Sequence, residues 1–243
     1  MRNYIVAAII GLSAIIAFWI AGNAIKYRST TSEVITVTGS AERDFVSDLI
    51  VWTGSYSRKS LDLKSAYSVL KQDENRIRTY LQSKGIAANE VVFSSVEIRK
   101  DFDYQYDGQG RQTNTIFTGY NLSQQVKVES KNVDKVEVLS REITELIEAG
   151  IEFNSSAPSY YYSKLSELKI DLLSKASADA KTRAESIAEN SNSSLGKVKK
   201  ASMGVFQITA QNSNEDYSYG GAFNTTSKRK TASITVRVEY STD

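Results

Sequence analysis

The chain has 243 residues, with 30 Lys plus Arg against 28 Asp plus Glu and a formal net charge of +2. The opposite signs are interspersed, so no global basic field draws the protein to nucleic acid. It contains neither Cys nor His, which excludes disulfides, thiol chemistry and a lipid-modified cysteine and removes the usual transition-metal ligand and general base. Carboxylates, Lys, Tyr and Ser remain for chemistry.

Tyr4 to Gly22 (YIVAAIIGLSAIIAFWIAG) is uncharged and almost wholly apolar. At about 1.5 Å rise per residue, such a run crosses a hydrocarbon core of about 30 Å as one helix. It predicts a transmembrane anchor over residues 1–25, with Tyr4, Ile10, Ile16 and Trp19 as anchor residues. The alternative is a secretory signal cleaved near Gly22-Asn23-Ala24. Arg2 on one side and Lys26 and Arg28 on the other do not fix orientation. In both readings the remainder is exported, through a polar linker over 26–33 into a domain over 34–243.

Ile35, Val37, Gly39 and Ala41 alternate with polar residues, and Leu49, Val51 and Thr53 alternate against Ile50, Trp52 and Tyr56; the two runs predict an opening hairpin. Ser60 is placed to cap a helix carrying Leu63, Ala66, Tyr67, Leu70, Ile77 and Leu81 on one face, stopped at Gly85. Val92 to Ile98 reads as a strand and Asp107-Gly108 as a turn, with a returning strand from Ile116 to Val128. Asn132 opens a helix with Val133, Val136, Leu139, Ile143 and Leu146, closed at Gly150, and Ile151 and Phe153 form a strand.

The longest helix carries Leu165, Leu168, Leu172, Ala176, Ala180, Ala184, Ile187 and Ala188. Asp171 with Lys175, Asp179 with Arg183 and Lys181 with Glu185 are opposite charges four apart on its outer side. Val198 to Ile208 and Ala232 to Tyr240 supply the last strands, around a polar insert from Gln211 to Thr226 expected to be mobile in an isolated molecule. The order ββαββαβαββ gives an α+β fold with antiparallel sheets, including a split βαβ unit.

Several segments together resemble the SIMPL-domain family of exported bacterial proteins. They are Ile35 to Glu42, Ser47-Asp48-Leu49, Gly119-Tyr120, Glu148 to Phe153, and Ala176 to Glu189 followed by Leu195-Gly196-Lys197-Val198. The sequence departs from the family pattern in lacking Pro before Asp48. The resemblance implies a SIMPL-type domain in an envelope protein that self-assembles, and it brings no catalytic residues.

Among sharper readings, Asp101, Asp103, Asp107 and Gly108 suggest a calcium loop, but the spacing is wrong for an EF-hand and a solvated hairpin tip is the plainer account. Glu142, Glu145 and Glu148 line one helix side, where buried carboxylates could do acid/base work and solvated ones would not. Lys197, Lys199 and Lys200, and Lys228-Arg229-Lys230, are either polyanion contacts or charges that protect strand ends. Tyr160-Tyr161-Tyr162 is either a recognition ledge or buried under the long helix. The Asn-x-Ser/Thr triplets at Asn121, Asn154, Asn192 and Asn224 matter only in a glycosylating host.

The expected function is therefore a non-enzymatic, single-pass inner-membrane protein with its domain on the periplasmic side, forming a homo-oligomer. Tyr104 and Tyr106 in the Tyr104–Asn114 projection, and Tyr217, Tyr219 and Phe223 in the insert, are the candidate contacts. Neither cofactor nor metal is expected, and neither nucleic acid nor a small-molecule substrate is expected as partner. The alternatives are a soluble periplasmic ligand- or peptide-binding module released by signal cleavage, and a carboxylate-based hydrolase.

Overall fold

Alternation over Val34–Val46 produces β1, but its partner lies at the far end of the chain. In the computed structural model, which describes residues 11–23 and 34–242, helical residues 11–23 (α1) and β1 are followed by β2 (Leu49–Ser60), α2 (Leu63–Ser83), β3 (Val91–Phe93), β4 (Glu97–Tyr106) and β5 (Gln112–Ser130). Then come α3 (Val133–Glu142), a 3-10 turn (Ile143–Ile147), β6 (Phe153–Ser155), β7 (Ser159–Tyr161), α4 (Leu165–Asn190), β8 (Leu195–Met203), β9 (Gln207–Ala210) and β10 (Arg229–Thr242).

β1 pairs antiparallel with β10 along its whole length, from Val34 opposite Ser241 to Val46 opposite Arg229. β2 pairs instead with β5, β6 and β7. The expected opening hairpin is thus not formed. Ser47 and Asp48 carry the chain from one sheet to another, and each strand finds a partner that lets it bury one face under its own helices.

The terminal sheet has the order β1-β10, with β8 and β9 end to end along the other edge of β10. α4 covers one face. Val37, Ile234, Val236, Val238 and Tyr240 point into it and meet Leu168, Leu172, Ala176, Ala180 and Ala184. The small side chains allow close approach, and among the described residues no helix covers the opposite face of the sheet, on which part of the 211–226 insert lies.

The central sheet runs β3/β4, β5, β2, β6/β7, all antiparallel. In units of β2, β3/β4, β5 and β6 this is the 4-1-3-2 order of the expected split βαβ arrangement. α2 and α3 cover one face over Trp52, Tyr56, Leu122, Val126 and Val128, joined by Leu70, Ile77, Leu81, Val136 and Leu139.

Three more strands form than expected. The Val92–Ile98 run breaks into β3 and β4 because the ladder on β5 slips by one residue, from Phe93 opposite Val126 to Glu97 opposite Ser123. A similar slip at Gly204 separates β8 from β9. The third is β7, from the tyrosine run.

The cap of α2 is Asp62, whose Oδ1 accepts from Ser65 N at 2.8 Å, while Ser60 Oγ accepts from Asp62 N one step earlier. Asn132 caps α3 as expected. Tyr67 and Ile187 are exposed, at the margins of their helices' apolar stripes.

Among the described residues no helix is long and apolar enough to cross a membrane. α1 covers part of the apolar run, and Ile16 and Trp19 on it are exposed. Tyr4, Ile10 and the linker over 26–33 lie outside the described residues.

Candidate functional site

Two surfaces hold the candidate contact residues, one on each sheet. β4 and the first half of β5 project beyond the helices as a two-stranded arm. β4 alternates regularly, so Ile98, Lys100, Phe102, Tyr104 and Tyr106 share one face. The ladder sets Ile98 opposite Leu122 and Phe102 opposite Phe117, so this is the side that α2 covers lower down. Here it is uncovered, and Ile98, Phe102, Tyr104, Tyr106 and Phe117 are all exposed. Phe102 and Phe117 meet edge-on at 5.7 Å, and Phe117 meets Tyr120 at 5.1 Å, where the row joins the core.

The acidic residues of the arm are used locally. Asp107 Oδ1 accepts from Gln109 N at 2.8 Å and Arg111 N at 2.9 Å, which closes the tip and holds this carboxyl below the usual range. Asp101 pairs with Lys59 at 3.0 Å. Among the described residues no group of acidic side chains is arranged to hold a metal ion.

The second surface is a groove of about 530 Å³ on the open face of the terminal sheet. Ser40 and Glu42 of β1 and Ser233 and Thr235 of β10 line its floor, and Tyr217, Ser218 and Tyr219 of the insert line its side. The insert is pinned rather than loose. Gln207 Oε1 accepts from Ala222 N at 2.6 Å and Ser218 N at 3.2 Å, while its Nε2 donates to Ser218 O at 2.8 Å. Glu215 accepts from Ala210 N at 2.9 Å and Asn224 Nδ2 at 2.5 Å. Phe223 bridges to Ile208 on the backbone, away from the groove lining. The mobility expected from the insert's composition is thus countered by the Gln207 amide from outside it, by Glu215 from within, and by backbone bonds from Ile208 N to Ala222 O at 2.8 Å and from Asn224 N to Ile208 O at 2.9 Å.

Several other charged groups are paired within the fold. Lys84 binds Glu142 at 2.8 Å and Glu145 at 3.5 Å, a surface pairing that raises the lysine's pKa through the Glu142 hydrogen bond. Lys228, just before β10, pairs with Asp134 and, at 3.3 Å, with Glu137, joining the entry of that strand to α3. Lys230 is 2 % exposed and donates to Tyr160 O at 2.5 Å, so the 228–230 cluster is not a free polyanion patch. Tyr160 is buried in the central core and Tyr162 packs against the terminal core, with its ring 4.9 Å from Phe45; the tyrosine run spans the junction instead of forming a ledge.

Two buried carboxylates on α2 escaped the reading of the sequence. Asp73 is gripped by Arg58 through both carboxylate oxygens, and Arg58 also donates to Gly150 O at 2.7 Å. Burial alone would raise the pKa of Glu74, but hydrogen bonds from Lys71 at 2.5 Å and Arg78 at 3.0 Å outweigh it and hold the carboxyl low. Both acids are ion-paired, the arrangement of a structural staple and not of a proton donor. The spacing was a usable signal: positions 70, 73, 74 and 77 fall on one helical stripe.

The geometry describes an α+β protein of two antiparallel sheets, each helix-covered on one face, with an aromatic arm and a hydroxyl-lined groove as its exposed features. Residues 35–240 match the SIMPL family, described as "Protein of unknown function (DUF541)", and the chain belongs to that family. No curated protein matches the chain.

Proposed function

We propose that this protein is a non-enzymatic, membrane-tethered scaffold of the bacterial cell envelope, with an anchor over 1–25, a linker over 26–33 and a SIMPL domain over 34–243. Its domain associates with copies of itself through the β4–β5 arm. The observation that carries this reading is the arm's uncovered apolar face. A solvated monomer gains nothing by holding Phe102, Tyr104 and Tyr106 in one exposed row.

Among the described residues β4 pairs only with β5, which leaves its other edge available to an antiparallel copy of itself. A two-fold axis through Asp101 sets Ile98 against Tyr104 and Arg99 against Asp103, twice each, and keeps both apolar rows on one face. The residue on the axis brings its own counter-charge in Lys59. The uncharged run at the N-terminus and the exposed side chains over 11–23 support the tether, with the domain on the periplasmic side of the inner membrane. Confinement to a plane raises the effective concentration of the arms.

Light scattering of the full-length protein in mild detergent tests the association. The wild type is expected to run as a multiple of the protomer mass and a Phe102→Ser, Tyr104→Ser variant as a protomer. A wild type that stays monomeric at micromolar concentrations would transfer the assignment to the soluble binding module, and an intact mass beginning at Ile25 would remove the anchor.

A further inference from the structure

We propose that the groove on the open face of the terminal sheet binds a neutral oligosaccharide. This goes beyond self-association and is independent of it, because the arm belongs to the other sheet.

The groove's volume of about 530 Å³ falls in the range of small-molecule sites. The lining restricts the ligand's chemistry. Ser40, Ser218, Ser233 and Thr235 bring hydroxyls, each able to donate and to accept, and Glu42 brings a carboxylate. Neither Lys nor Arg is among the described lining residues, so a phosphate or carboxylate ligand would find no counter-charge there. Ala41, Val205 and Ile234 add apolar surface to the lining, so a ligand with hydroxyl edges and apolar faces fits this set and an anion does not.

Glu42 stands apart from its neighbours. Arg43 pairs with Asp171 at 3.2 Å, and Asp44 accepts from Thr231 at 2.6 Å and Gln211 at 2.8 Å. The Glu42 carboxylate has neither an ion pair nor a hydrogen bond among the described residues, and Glu42 lines the groove. It can accept from two adjacent hydroxyls of one sugar ring.

The tyrosines supply the complementary half. Tyr219 is fully exposed and Tyr217 is 67 % exposed, yet both sit on a loop held by Gln207. A pyranose ring has an apolar C–H face for such a surface and a hydroxyl edge for the floor. The turn behind them is fixed too: at Gly221, φ is +93°, and a Cβ would lie 2.9 Å from Phe206 O. Because the loop is already ordered, little conformational entropy is lost on binding.

Calorimetric titration of the full chain in mild detergent with cellotetraose, chitotetraose and maltotetraose tests the proposal, with spermidine and tetra-alanine as comparison probes. At least one saccharide is expected to bind. Tyr219→Ala and Glu42→Gln should each weaken it about fivefold to tenfold with an unchanged melting temperature. Both positions are exposed, so neither variant should fail to fold. The Phe102→Ser, Tyr104→Ser variant should bind as the wild type does. No binding of any saccharide at millimolar concentration would overturn the site, as would saccharide binding that neither substitution weakens. Tighter binding of spermidine or of the peptide would overturn the ligand class.

Discussion

A Cβ placed on Gly39 would lie 2.2 Å from the carbonyl oxygen of Ala176, so β1 and α4 touch backbone to backbone at that point. Ala180 closes the other side, with its amide nitrogen 2.4 Å from the same position. The contact explains why α4 repeats Ala at 176, 180, 184 and 188, all buried. Gly39→Ala and Ala180→Leu should each force the helix off the sheet and cost about 1–3 kcal/mol. Lys181→Ala, which loses only a surface pairing with Glu185 at 3.5 Å, should stay within about 0.5 kcal/mol of wild type. Urea denaturation separates the three, and equal midpoints would mean that the helix packs by another face.

The crossover between the sheets hangs on Asp48. Its Oδ1 accepts from Ser163 N at 2.7 Å and its Oδ2 from Ser163 Oγ at 2.6 Å, while its own amide donates to Tyr161 O at 3.1 Å. The carboxylate thereby binds the start of β2 to the segment that leads into α4. Asp48→Ala should destabilise the protein by about 2 kcal/mol, and Asp48→Asn by less because the amide keeps one acceptor. An Ala variant as stable in urea as wild type would show that the crossover is held by its backbone alone.

What was legible in the sequence was local. The apolar stripe and the charge pairs of α4 lie within one helical period, so Leu168 to Ala188 and the Asp179–Arg183 pair at 2.8 Å follow from spacing. The pairing of Val37 with Val238 does not, because alternation says which face is buried and not which strand comes alongside. The groove was hidden for the same reason. Ser40, Gln207 and Ser233 are unremarkable residue types on three separate strands, and only folding sets them around Tyr217 and Tyr219. The tyrosines were visible as candidates because an aromatic-rich insert has no evident core to join; the amide that orders them was not.

Lys230 gives the protein a pH dependence with a defined sign. Burial lowers its pKa from 10.5 to about 8, against a smaller opposing pull from Glu215. Below about pH 8 both the folded and the unfolded chain hold this proton, and the folded state carries the full cost of a buried ammonium. Between about 8 and 10.5 the unfolded chain binds more protons, so stability rises with pH. The gain from about pH 7 to about pH 9.5 should be on the order of 2 kcal/mol in wild type and absent in Lys230→Met. Urea unfolding at the two values measures it; parallel curves for both proteins would mean that the amine is solvated in the folded state.

Gln207 should control the insert without controlling the fold. Its side chain satisfies Ser218 N, Ser218 O and Ala222 N at once, and a leucine there would leave both amides without a partner, while Ser218 O keeps its bond from Gly221 N at 3.0 Å. The pairing of β9 with β10, from Lys230 opposite Ala210 to Ser233 opposite Gln207, is made by backbone and survives the change. Gln207→Leu is therefore expected to free the segment around Tyr217, Tyr219 and Phe223 while far-ultraviolet circular dichroism stays as in wild type. Chymotrypsin, which cleaves after such residues, reads the difference directly. Cleavage within 211–226 should be several-fold faster in the variant, since proteolysis follows the population of the open loop. Equal cleavage rates would place the order of the insert elsewhere, in the Glu215 bonds to Ala210 and Asn224.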